Sequence, residues 1–273
     1  MRQFVSDSEL DSSLSLTIEG KKYHYLVNVL RSVVGDMIYV RLPSGILQPM
    51  TLSKIDEQKK KIVLVLAGEI VKGSENSAES VQKESDTDFY LFQFAAKGPK
   101  MDLIVRQAVE CGVKYIVPVL GTFCQKSAVE SARKKSEGRW DRIITEARQQ
   151  SGSPVDTKVL DPLSVEEVSQ MWKKIRTENS FSTGIVLYEQ TEGTLSIYKA
   201  LSSVTEKSER KKAALVCGAE GGISKKEIEV LQSGGFIPVH FATNILRCET
   251  ASLYGIAALQ TLLLEKDKWQ FKE

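Results

Sequence analysis

The chain has little of what usually points quickly to a chemistry. Only four of its 273 residues are cysteine (Cys111, Cys124, Cys217, Cys248) and only two are histidine (His24, His240). The cysteines form no Cys-x-x-Cys spacing and no Cys/His cluster, which argues against a disulfide framework and against a zinc site, so no metal is expected. The histidines fall in different halves of the chain with no nucleophile pattern nearby, so they do not make a catalytic pair. No apolar run approaches the ~18 residues of a membrane span, and the opening MRQFVSDSELDSS lacks the apolar stretch of a signal peptide. A cytoplasmic location and no membrane partner are therefore expected. A large excess of one charge is missing too. At a net +2 the total does not demand a nucleic-acid partner, and any basic footprint must be local. Local clusters occur at 59–61, 133–135 and 210–212, where solvated faces are the first reading.

What remains is the composition of an ordinary globular protein, 42% hydrophobic and 26% charged, long enough for one large or two modest domains. The clearest boundary is GSENSAESVQKESD, residues 73–86, which has linker composition. Before it, in 1–72, the runs IYVRL, MTLSKI and KIVLVLA alternate with turn signals and predict a small β-barrel-like domain. One helix interrupts them, KYHYLVNVLRSV, with Leu26, Val29, Leu30 and Val33 on a single face. After the linker, 87–273 alternates strands and helices: FYLFQFA, YIVPVL, GIVLYE, AALVCG and FIPVHFA against helices such as DLIVRQAVECG, opening on Asp102 as a cap, and RWDRIITEARQQSG. That alternation predicts an α/β domain with a largely parallel sheet, whose ligands sit at the carboxyl ends of strands.

Three strand ends run into loops able to carry chemistry. In CGAEGGIS, the glycines at 218, 221 and 222 permit a tight turn close to a ligand, and Ser224 with Glu227 forms a capping box opening the next helix. The spacing is neither GxGxxG nor a P-loop, so a structural turn and an anion or nucleotide cradle both stand open. NILRCETAS, 244–252, sets Arg247 and Glu249 between a strand-like run and a helix-like run, where charges need a reason. They form either a buried ion pair that locks the last helix, or a fixed cation facing a ligand with Glu249 positioning it.

GAEGGIS, then ILRCET before a long Ala/Leu helix, with AAKGPKMDLIVRQAVECGV and EARQQSG upstream and MRQFV and HYLVNVLRSVVGD at the start, resembles the ribosomal RNA small subunit methyltransferase E family. These are 16S rRNA uridine-N3 methyltransferases of the SPOUT superfamily, and the likeness spans both domains. It implies a PUA-like β-barrel for RNA binding, followed by a methyltransferase domain whose carboxyl-terminal segment is threaded into a trefoil knot. It also implies S-adenosyl-L-methionine as cofactor, a homodimer, and 16S rRNA or the small ribosomal subunit as partner. Carried over by position, the cofactor loops hold Leu187, Tyr188 and Glu189; Gly218, Glu220, Gly221 and Gly222; and Phe241, Asn244, Ile245, Leu246, Arg247 and Thr250. Arg247 and Glu249 are the implied catalytic pair, with Arg247 facing the charge that develops on the uracil. Arg2, Arg31, Lys97 and Lys100 are candidate phosphate contacts. The chain departs from the family pattern at Ala219, where Pro is usual, and at Ser153 and Asn244, where Arg is usual. Two alternatives stand beside this reading: an RNA-binding SPOUT-like protein with altered specificity or lost catalysis, and another nucleotide-dependent transferase using the same glycine loop.

Overall fold

The structure is a computed structural model that describes residues 3–68, 87–134, 138–179, 181–201 and 211–264. Arg2 and the expected linker, 73–86, lie outside the described residues. The chain divides into two compact units, Met1–Lys83 with Arg148–Pro154, and Glu84–Ala147 with Val155–Glu273.

The first unit contains β1 (Phe4–Val5), β2 (Ser15–Glu19), α1 (Gly20–His24), β3 (Met37–Arg41), β4 (Leu47–Asp56) and β5 (Lys61–Leu66). They form a five-stranded sheet in the order β1-β3-β4-β5-β2, antiparallel except for the β1–β3 pair. The alternation of MTLSKI and KIVLVL is readable in the packing: Met50, Leu52, Ile62 and Leu64 point inward and are fully buried. Each such side chain removed from water stabilises the fold by roughly 1.5–3 kcal/mol. The expected helical face is only partly realised. After α1 the backbone widens into a π-turn over Tyr25–Val29, where Leu30 N–H bonds Tyr25 C=O. One extra residue per turn rotates the following side chains off the face. Leu26 is therefore buried, whereas Val29 and Val33 are exposed.

In chain order, the second unit has β6 (Thr87–Phe94), α2 (Gly98–Glu110), β7 (Tyr115–Leu120), α3 (Lys126–Arg133), α4 (Arg139–Ser151, ending in the first unit) and β8 (Lys158–Val159). It continues with β9 (Leu163–Ser164), α5 (Val165–Glu178), β10 (Ser182–Leu187), α6 (Ile197–Leu201), β11 (Lys211–Cys217), α7 (Lys225–Ser233), β12 (Ile237–Val239) and α8 (Cys248–Leu264). Its sheet runs β12-β10-β11-β6-β7-β8, with β9 also on β7, and every pairing among the described residues is parallel. Both faces are covered, which is why these strands read as continuous apolar runs. Phe89, Leu91, Ile185 and Leu215 pack with residues of α2, α4 and α8, and Phe92, Phe94, Val186 and Val216 pack on the other face with residues of α5 and α7. Trp140, Ile143, Ile144 and Ala147 form the buried stripe of α4 that their spacing predicts.

Two boundaries differ from the sequence reading. Helix α2 starts four residues earlier than Asp102, with Pro99 in its first turn. Asp102 is inside the helix and buried; its carboxylate accepts a hydrogen bond from Trp140 Nε1 at 3.2 Å and pairs with Arg139 at 2.6 Å. Pro supplies the start signal in place of an acidic cap, because its fixed φ suits a first turn. Strand β12 keeps only three residues of FIPVHFA, since the chain turns after Val239 into a loop closed by Thr243 N–H on Phe241 C=O.

Candidate functional site

Strand order decides where the three loops meet. Because β10 lies between β12 and β11, and all three run in parallel, their carboxyl ends are neighbours at one edge. The loops that follow enclose a cavity of about 340 Å³. Leu187, Tyr188 and Glu189 come from the first loop, Gly218, Glu220, Gly221 and Gly222 from the second, and Phe241, Asn244, Ile245 and Leu246 from the third. The structure thus brings together eleven of the thirteen residues expected around a cofactor. Arg247 and Thr250 are not in the wall, nor is Glu249. Thr243, inside the third loop, also lines it, as do four residues that sequence reasoning did not single out: Val239, His240, Cys248 and Ala251. The last two stand three apart on the first turn of α8, a spacing that gives one helix face and turns Glu249 and Thr250 away from it.

The glycine loop has a backbone reason. Gly222 adopts φ +74°, and its N–H closes a tight turn on Ala219 C=O at 3.0 Å. A Cβ there would stand 3.5 Å from Glu189 Oε1, in a conformation that L side chains rarely adopt. Ala219, where the family has Pro, makes this same turn and lines the cavity. The capping box then forms: Glu227 Oε2 accepts from Ser224 N–H at 2.8 Å and Ser224 Oγ from Glu227 N–H at 3.4 Å. Glu227 Oε1 also accepts from Thr122 N–H at 2.7 Å. Burial opposes charge on Glu227, but the bonds from Ser224 and Thr122 outweigh it and hold the carboxyl below the usual glutamate range.

NILRCETAS departs from both readings in one respect, the partner of Glu249. Glu249 does not pair with Arg247. Its Oε2 stands 3.3 Å from Lys100 Nζ and accepts from the Cys248 thiol at 3.2 Å. Lys100 is also 3.6 Å from Glu220 Oε1, and Lys97 N–H donates to the same oxygen at 3.3 Å. Lys100 is thus the shared counter-ion of two carboxylates, one on the glycine loop and one on α8. Burial works against the Lys100 charge, yet the Cys248, Glu249 and Glu220 groups around it raise its pKa above the ordinary lysine value. The Cys248 thiol is pushed up to about 12, chiefly by burial and then by its bond to Glu249, so it stays protonated. Arg247 is exposed, and its side chain makes no ion pair among the described residues. Only its backbone C=O is engaged, accepting from Ala251 N–H at 2.7 Å.

The cluster predicts an acid-side stability change. Burial of Glu249 raises its pKa, but its own backbone N–H, Cys248 and Lys100 together lower it below the ordinary value of 4.5. A depressed folded pKa gives stabilisation that is present above the unfolded value and lost as pH falls through the folded one. The melting temperature of Glu249→Gln is therefore expected below that of the unaltered chain at neutral pH, with the gap closing as pH drops below 4.5. A gap independent of pH in thermal melts would contradict this.

The candidate RNA contacts separate. Lys97 is exposed at the start of α2, while Lys100 is committed to the carboxylates. In the first unit, Arg31 is exposed with a left-handed backbone, φ 55°. Ser153 is buried there, and its Oγ has no hydrogen-bond partner among the described residues. Asn244, the other departure from Arg, is exposed and lines the cavity. Among the described residues no group of three or more His, Cys, Asp or Glu is placed to hold a metal, and no helix is long and apolar enough to cross a membrane.

Comparison with known proteins agrees with this geometry. The profile of the RNA methyltransferase domain matches residues 83–260. Ribosomal RNA small subunit methyltransferase E of Bacillus subtilis is 25% identical over 97% of this chain and 97% of its own. Its counterpart in Buchnera aphidicola subsp. Schizaphis graminum is 30% identical over 87% of this chain and 86% of its own. A crystal structure of the Neisseria gonorrhoeae enzyme of that name, bound to S-adenosyl methionine, superposes with a TM-score of 0.76 at 24% identity, covering 96% of this chain and 98% of that one. With the profile matched over well more than half of its length, and relatives aligned along nearly the whole of both chains, this protein belongs to the RNA methyltransferase domain family and, within it, to the ribosomal RNA small subunit methyltransferase E group.

Proposed function

We propose that the protein uses S-adenosyl-L-methionine to methylate N3 of a uridine in 16S rRNA of the small ribosomal subunit, acting as a homodimer. The observation that carries this reading is the cavity built by three loops from adjacent strand ends, in a chain of this family. The names of the relatives, and the bound cofactor of the Neisseria protein, support it.

The residues present fit the cofactor. The turn at Gly222 leaves space that a Cβ would fill, and backbone groups of the wall, such as the Tyr188 C=O, the Ala219 N–H and those of Leu246, are the kind of partners a neutral adenine takes. Glu189 and Glu220 add two carboxylates to the wall, suited to a ligand carrying positive charge. When bound, S-adenosyl-L-methionine supplies a methyl group on a cationic sulfur.

The chain must then bring uridine N3 to that methyl, so that the N3–CH3 bond forms as the sulfur–CH3 bond breaks, with the N3 proton passing to water. Arg247, an exposed cation without an ion pair among the described residues, on the loop leading into α8, is the group assigned to the negative charge developing on the uracil. Glu249 is engaged by Lys100 and Cys248, so its role here is to hold the joint between the glycine loop and α8. The uridine leaves its stack to enter the cavity. Lys97 and Arg31, with Arg2, are the proposed phosphate contacts, and the five-stranded first sheet is the proposed PUA-like barrel. The trefoil threading of the segment after β11 belongs to the same proposal. Exposed Leu195, Tyr198, Ile245 and Tyr254 supply apolar surface for a second copy.

Labelled S-adenosyl-L-methionine incubated with the protein and small subunits from a strain lacking the modification is expected to place label on a uridine N3. Absence of cofactor binding would reject the class. Salt-dependent RNA binding without transfer would favour a protein that has lost catalysis.

A further inference from the structure

We infer that Gln93 is a positioning residue that ties together two walls of the cofactor cavity. The inference rests on the function proposed above and goes beyond it. Strand β6 is buried along all eight residues, and Gln93 is the one carboxamide in it, fully shielded from solvent. An apolar side chain of similar volume would serve packing alone; a buried amide is tolerated only when its polar atoms are bonded.

Its bonds go to specific places. Gln93 Nε2 donates to Gly218 C=O at 3.0 Å and to Phe94 C=O at 3.0 Å. Two carbonyls facing one end of the amide fix that end as nitrogen, so Oε1 must be the acceptor at the other. There Ser252 Oγ donates at 2.5 Å, with Cys248 C=O sharing its reach at 2.8 Å. Gly218 opens the glycine loop, and Ser252 lies on α8 one turn after Cys248 and next to Ala251, both in the cavity wall. One buried amide therefore sets the tilt of the Gly218–Ala219 peptide and the depth of the first turn of α8. Because that peptide is planar, fixing its carbonyl also fixes the direction of Ala219 N–H. The loop is thus held in a binding shape before the cofactor arrives.

The test is calorimetric binding of S-adenosyl-L-methionine to the full chain and to Gln93→Leu, Ser252→Ala and the double variant, alongside steady-state kinetics. Gln93→Leu is expected to weaken cofactor binding about tenfold and to raise the KM for the cofactor in parallel, with the KM for RNA unchanged. Ser252→Ala is expected to weaken it about threefold, and the double variant to fall short of the product of the two, because both act through one amide. A purely structural role predicts a lower melting temperature with cofactor affinity kept within about twofold, and that result would overturn the inference. Should Gln93→Leu not fold, Ser252→Ala, which removes a single oxygen, decides the matter by the same affinity criterion. An unaltered chain that binds no cofactor overturns the functional reading and this inference together; equal binding by the unaltered chain and the variants overturns this inference alone.

Discussion

Arg247→Ala is expected to lower kcat by roughly 10²- to 10³-fold, the usual consequence of deleting one preorganised donor aimed at developing charge. Cofactor affinity should stay near that of the unaltered chain, because Arg247 lies outside the cavity wall and neighbours it only through Leu246 and Cys248. The structure sharpens why the guanidinium is available. Had it paired with Glu249, removing it would strand a carboxylate and cost stability as well as rate. Instead Glu249 is engaged by Lys100, and Arg247 is an exposed cation on a backbone anchored by Ala251 N–H. The variant should therefore fold and melt like the parent while losing turnover. Arg247→Lys keeps the charge but not the planar fork, so an intermediate rate is expected. Single-turnover methyl transfer at saturating cofactor and RNA is the measurement, and a rate for Arg247→Ala within a few-fold of the parent would remove the residue from the chemistry.

Which parts of this arrangement could be read from the sequence follows from the range of the interactions involved. Strand β7 occupies the run YIVPVL without adjustment, and Ser224 with Glu227 forms its capping box, because both are decided by neighbours a few residues apart. The stripe Trp140, Ile143, Ile144 and Ala147 is legible for the same reason. The π-turn after α1 is not, since hydrophobic spacing presumes 3.6 residues per turn and cannot announce a local widening. The Lys100–Glu249 pair is beyond such reading altogether. It joins α2 to α8 across most of the second unit, and nothing in the spacing of NILRCETAS favours Lys100 over Arg247, one residue from the cysteine that Glu249 also contacts. Gln93 is visible in FYLFQFA as the odd polar residue of an apolar run, but its partners are set at long range, Gly218 by the parallel register of β6 with β11 and Ser252 by the seating of α8. The three cavity loops occupy the middle ground: their composition marks them as unusual, while strand order is what makes them neighbours.

Gly221→Val is expected to weaken cofactor binding by tenfold or more and to cost about 1–3 kcal/mol of stability, as overpacking does. A Cβ at this position would lie 2.7 Å from Phe123 Cβ and 3.2 Å from the Phe123 backbone oxygen. Neither contact is relieved by turning the phenyl ring, because the collision is with the first carbon of the side chain and with the main chain. The glycine loop must move instead, and Gly222, Ala219 and Gly218, all in the cavity wall, move with it. The geometry makes a discriminating rescue possible. Phe123→Ala retains the offending Cβ and should restore nothing, whereas Phe123→Gly removes it and should recover much of the lost affinity. Since Phe123 is 51% exposed, its truncation alone removes little buried surface and should be well tolerated. Cofactor titrations of the four chains separate the possibilities. Equal rescue by both second-site changes would mean that the ring, and not its first carbon, sets the limit, and normal binding by Gly221→Val would mean that this loop does not shape the pocket.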